Sequence, residues 1–132
     1  MGFEELQHTA DWALRVWAPD LPSLLTEAAR GMNALSGAVL SKAPRLKRQF
    51  EAQAEDPESL LVAFLSELVY YAEQESTVFD RFEARVNGSK LIVQMKGAPL
   101  LELSKPIKAV TYHNLEIQRT RRGLEAEIVF DV

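Results

Sequence analysis

The spacing of apolar and polar positions changes several times along this chain, and each change marks an element. Trp12, Leu14 and Val16 alternate with Ala13, Arg15 and Trp17. That two-residue period predicts a strand with at least one buried face, starting at about Asp11. Leu21, Leu24, Leu25, Ala28, Met32 and Leu35 then recur at helical spacing until Gly37. Asp20 suits the cap of that helix and Pro22 its first turn. Beyond a polar link containing Pro44, Leu46, Phe50, Ala52 and Ala54 share one side of a half-buried strand, and Lys47, Gln49, Glu51 and Gln53 share the other.

Asp56-Pro57-Glu58-Ser59 opens a second helix with a cap and a first-turn proline, and Leu60, Leu61, Phe64, Leu65, Leu68, Val69 and Ala72 give it a broad apolar stripe. Phe82, Ala84 and Val86 lead into Asn87-Gly88, and Leu91, Val93 and Met95 continue the alternation, which is the pattern of a hairpin. Prolines bracket residues 99 to 106, so that stretch is expected to be a connecting loop with a short apolar anchor. Lys108 to Gln118 is rich in β-branched, aromatic and aliphatic residues and reads as extended. A turn near Arg121-Arg122-Gly123 would return it through Leu124, Ala126, Ile128, Phe130 and Val132 as a second hairpin. The order predicts one α+β domain over residues 1–132, a two-layer sandwich with both helices on one face of a mostly antiparallel sheet.

Composition narrows the class. The chain has 132 residues, 47% of them hydrophobic, enough for a core. Its apolar runs are too short and too interrupted to span a bilayer. Met1-Gly2-Phe3-Glu4-Glu5 lacks the basic and apolar blocks of a signal peptide, so a cytoplasmic protein with no membrane partner is expected. Cysteine is absent, which removes disulfides, thiolate metal sites and cysteine nucleophiles and agrees with a reducing compartment. Fifteen Lys and Arg against nineteen Asp and Glu leave a net charge of −4, which disfavours indiscriminate phosphate binding. Two local basic clusters remain, Arg45, Lys47 and Arg48, and Arg119, Arg121 and Arg122. Solvated strand edges are the plainer account of each, an RNA track the sharper one.

The chain has no Gly-rich phosphate loop, nucleophile elbow, His-Glu-x-x-His helix or Cys/His finger, so no catalytic residue is assigned. His8 and His113 are its only histidines, and each also fits a hydrogen-bonded structural role at a strand end. The acidic ends pose a clearer choice. Asp11 stands at the start of the first expected strand, while Asp131 and the α-carboxylate of Val132 stand at the end of the last. On one reading Asp11 turns the chain and Asp131 is solvated. On the other, their oxygens and the Val132 carboxylate hold a hard divalent cation, Ca²⁺, Mg²⁺ or Mn²⁺, with water completing the shell. Oxygen-only ligation without thiolates argues against structural zinc.

Four ordered segments carry a family resemblance. His8-Thr9-Ala10-Asp11, residues 60–68 (Leu-Leu-Val-Ala-Phe-Leu-Ser-Glu-Leu), residues 108–115 (Lys-Ala-Val-Thr-Tyr-His-Asn-Leu) and the terminal Phe130-Asp131-Val132 together resemble the archease family over essentially the whole chain. The resemblance implies a non-enzymatic accessory protein of the RtcB-type RNA-splicing ligase, which seals cleaved tRNA halves with GTP and divalent metal. It also implies that the protein promotes guanylylation and multiple turnover of that ligase. The family's metal site falls on Asp11, Asp131 and Val132, with Ca²⁺ as the first expected ion. Lys108 matches the family's lysine and would place a positive charge on a phosphate or on the ligase's nucleotide pocket. His8 would orient a carboxylate or the strand junction, and Glu67 would be an inward polar residue of the second helix. Lys105-Pro106-Ile107 replaces a more acidic approach to Lys108. Direct contact with nucleic acid is left open. A chaperone-like binding module and a metal-dependent phosphohydrolase are the alternatives, the second lacking a second cluster of metal ligands.

Overall fold

The structure, a computed structural model, describes residues 1–6 and 12–132. Its elements follow in the order β1 (Gly2–Leu6), β2 (Trp12–Ala18), α1 (Leu21–Ser36), β3 (Val39–Leu40), β4 (Leu46–Gln53), α2 (Pro57–Gln74), β5 (Thr77–Asn87), β6 (Lys90–Glu102), β7 (Ala109–Val110), β8 (Gln118–Thr120) and β9 (Gly123–Asp131). This is the expected α+β class, two helices with antiparallel sheets.

Local chemistry sets the ends of both helices. Asp20 Oδ1 accepts from the Ser23 N–H at 2.9 Å, and Asp56 Oδ1 accepts from the Ser59 N–H at 2.7 Å. Each cap satisfies a backbone donor that the helix itself leaves without a partner. Gly37 closes α1 at φ 68°, a left-handed conformation that glycine adopts without a Cβ penalty. No helix among the described residues is long and apolar enough to cross a membrane.

The strands form two sheets. In the first, β2 lies between β1 and β9, and β7 and β8 both pair with the far side of β9. In the second, β6 is central, with β5 along one side and β3 and β4 along the other. Helix α1 packs on β2 and β5, and α2 on β4, β5 and β7. The core between them holds Leu14, Val16, Leu25, Phe64, Leu65, Val93, Ile128 and Phe130. Phe64 lies between Phe50 and Phe82, tilted against the first and edge-to-face with the second, with ring centroids 6.0 and 5.7 Å away.

Two expectations need correction. Residues 99–102 are not loop: β6 runs through Pro99 to Glu102. An antiparallel residue points its N–H and C=O the same way, and Pro99 accepts from the Ser41 N–H at 2.9 Å, so its missing donor lies toward β3. There the pairing is short and its register shifts, and little ladder is lost. Residues 111–117 are not strand. The chain pairs only at Ala109–Val110 and Gln118–Thr120 and loops between them. Leu115 and Ile117 pack against the core from that loop, so their apolar character reflects burial rather than a ladder. Periodicity also passed over β1 and β3, because a five-residue strand with Glu4 and Glu5 exposed and a two-residue strand carry too little alternation.

Gly97 marks a close approach of two backbones. It pairs with Phe79 beside the register shift in β5, where a methyl group would lie 2.8 Å from Phe79 Cα and closer still to Val78 O. Because backbone rather than a flexible side chain must give way, Gly97→Ala is expected to cost about 1–3 kcal/mol in urea denaturation. An unchanged midpoint would mean that the strand pair adjusts freely.

Candidate functional site

The end of β9 is where the start of β2, the last residues of the chain and the segment before β7 converge. Trp12 at the start of β2 pairs with Phe130, and Ala109 in β7 pairs with Asp131 on the opposite side of the same strand. The Lys108 N–H donates to Asp131 O at 2.8 Å, and the Thr111 N–H and hydroxyl both donate to Val129 O, at 3.1 and 2.9 Å. Backbone pairing therefore holds Lys108 beside Asp131. Both side chains are exposed, and Val132 is half-buried. Asp11 and His8 lie outside the described residues.

Among the described residues no three His, Cys, Asp or Glu side chains form a group that would hold a metal. The described share of the expected site is thus Asp131, with Val132 next to it. An oxygen-only donor set of this kind suits a hard divalent cation rather than a soft one.

The approach to Lys108 is tied down at several points. Lys105 Nζ sits 4.4 Å from the centroid of the Trp12 ring, linking the segment before Lys108 to the start of β2. On the far side, the Ile117 N–H donates to Glu58 Oε2 at 2.8 Å, and the Tyr112 hydroxyl donates to Ser59 Oγ at 3.3 Å, so the loop after β7 rests on the first turn of α2. His113, on that loop, is exposed and touches Asn114. Glu67 on α2 is half-buried. Lys108 also stands at the rim of a cavity of about 200 Å³ between α1, α2, β5 and residues 103–108, lined by Met32, Leu68, Val69, Phe79 and Ile107. Neither the Lys105–Trp12 contact nor the cavity had a local signal, because each joins residues far apart in the chain.

The Archease protein family model matches residues 3–132. Protein archease of Methanopyrus kandleri is 34% identical over 140 residues, covering 100% of this chain and 100% of that one. Protein archease of Thermococcus kodakarensis is 31% identical over 129 residues, covering 92% and 91%. In three dimensions the chain is similar to the crystal structure of an archease from Thermotoga maritima, described as a possible chaperone, with a TM-score of 0.72 at 23% identity over 98% of this chain and 96% of that one. The solution structure of protein 1598 of Methanobacterium thermoautotrophicum gives a TM-score of 0.73, also at 23% identity, covering 99% of each chain.

The tether between loop and helix is testable. Glu58→Ala leaves the Ile117 N–H without its acceptor and should cost about 1–2 kcal/mol, with faster hydrogen exchange at that amide. Glu58→Gln keeps a carbonyl acceptor and should restore most of the loss. Equal exchange at Ile117 in all three proteins would show that Glu58 does not hold the loop.

Proposed function

The chain belongs to the archease family, and on that premise we propose that it is a non-enzymatic accessory protein of an RtcB-type RNA-splicing ligase. In this reading it works in the cytoplasm, promotes GTP-dependent guanylylation of the ligase, and is linked to tRNA through it. The observation that supports the reading best is the meeting of Lys108 with Asp131 at the end of β9, one strand pair from Trp12. Asp11 is covalently next to Trp12, and consecutive Cα atoms are about 3.8 Å apart. The proposal assigns it to the same strand end.

Asp11, Asp131 and the Val132 α-carboxylate would together hold a divalent cation, Ca²⁺ in the first place. Bound there, the cation supplies a concentrated positive charge that bridges acidic side chains to an oxygen of the partner. Lys108 adds a second positive charge on a side chain free to move, suited to a phosphate or an acidic group of one ligase conformation. Contacts made with that conformation alone would shift the ligase toward its GTP-reactive state. His8 would orient a carboxylate of the site.

The apolar cavity beside Lys108 favours a second reading, a chaperone-like module that accepts apolar groups of varied clients. That reading predicts metal-independent suppression of aggregation for unrelated proteins and no preference for the ligase.

The deciding measurement is guanylylation of the cognate ligase, at limiting concentration, with and without this protein. Stimulation by the intact chain is expected, and its absence would sink the proposal. Asp11→Ala, Asp131→Ala and a short extension after Val132 should each weaken Ca²⁺ binding by about tenfold or more in calorimetric titration and reduce stimulation, without unfolding the protein. Lys108→Ala should reduce stimulation and leave the titration unchanged. Undiminished Ca²⁺ affinity in all three site variants would move the cation elsewhere.

A further inference from the structure

The outer face of the second sheet carries a charge arrangement that local sequence does not display. Lys96 on β6 pairs with Lys47 on β4 on one side and with Arg81 on β5 on the other. All three are exposed and belong to the face opposite the buried Leu91, Val93 and Met95. Strands lie about 4.8 Å apart, so three cations stand in a row roughly 10 Å long before their side chains splay. None has a carboxylate partner among the described residues. The nearby Asp80 is engaged by Arg45, and Glu83, one row further along, by Arg85.

Like charges directly opposite each other destabilise a strand pair, and Lys96 faces two. Edge protection accounts for Lys47 and Arg81, because β4 and β5 are the outer strands here and charged residues discourage edge-to-edge pairing. It does not account for Lys96, whose strand is covered on both sides. The row also replaces the cluster that adjacency suggested: Arg45 is ion-paired, and Arg48 lies opposite Met95 and donates to Lys47 O.

We propose that this row binds the sugar–phosphate backbone of a nucleic-acid strand, with Lys47, Lys96 and Arg81 each meeting a phosphate oxygen. The rest of the face favours phosphate over an acidic protein surface. Its neighbouring rows are Gln49–Gln94–Glu83 and Glu51–Ile92–Arg85, with one half-buried aliphatic residue and no aromatic ring. Protein interfaces concentrate aromatic residues and are depleted of Lys and Glu. A face without rings offers no platform for stacking bases, so recognition is of backbone charge, and the net charge of −4 on the whole chain confines attraction to the row.

The test is fluorescence anisotropy of a labelled oligouridylate of about 12 nucleotides, titrated at several salt concentrations. Three phosphates on a single strand give a slope of log K against log salt of about −2, hence a roughly 15- to 20-fold fall in affinity between about 50 and 200 mM salt. Lys96→Gln should flatten the slope by about 0.7, leaving a fall of roughly 7-fold. The same change relieves two like-charge contacts and should raise the unfolding temperature by roughly 1–4 °C. Weaker binding in a more stable protein is the expected signature. No anisotropy change at low salt, an unaltered slope in Lys96→Gln, or a lower unfolding temperature in that variant would each overturn the proposal. Polyglutamate competing as well as RNA would overturn it too, by assigning the row to an acidic protein. Lys96→Gln leaves Lys108 and Asp131 untouched, so ligase stimulation in that variant reports on the other proposal separately.

Discussion

The pairing of β2 with β9 is the constraint on which the rest of the structure depends. It runs in unbroken register from Trp12 opposite Phe130 to Ala18 opposite Leu124, joining segments more than a hundred residues apart. Leu14, Val16, Ile128 and Phe130 all turn inward from these two strands and are almost fully buried. A one-residue slip would turn this set toward solvent and bring Arg15, Glu125 and Glu127 into the core. In the observed register Arg15 bonds both glutamates at 3.2 Å on the outer face. Burial on one side and ion pairing on the other therefore specify the same alignment.

That alignment also places the candidate site. Once β9 is set against β2, its other side is open to β7 and β8, and the last residues of the chain meet the segment that carries Lys108. The Lys105–Trp12 contact and the Glu58–Ile117 hydrogen bond then hold the flanks of β7 against two different elements. Side chains that an isolated segment would leave mobile are carried on backbone that is paired or tethered at each turn. The two proposed functions use different surfaces. The strand-end site belongs to the first sheet, and the cationic row belongs to the outer face of the second.

Much of the architecture was legible because its causes are local. Asp20 and Asp56 cap helices within three residues, Gly37 ends one by its backbone freedom, and Gly88, the first residue of the two-residue turn Gly88-Ser89, turns a hairpin at φ 62°. The segments that depart from local preference have a common origin. Pro99 breaks strands as a rule, and only the short, shifted pairing of β3 beside it makes it harmless. Tyr112, Leu115 and Ile117 resemble strand residues, yet they serve a loop that rests on α2. In both cases a distant element overrode the local preference.

The sequence by itself determined the helices, their caps, the long hairpin, the α+β class and the family, because these rest on short-range periodicity, turn chemistry and ordered motifs. It also supplied every residue of the proposed cation site, although not their positions in space. Tertiary structure alone decided that Lys108 meets Asp131, that Lys105 covers Trp12, and that Lys47, Lys96 and Arg81 stand in one row. The physical reason is register. Which residues face each other across strands is set by the burial of whole faces and the closure of long loops, and no window of neighbouring residues contains that information.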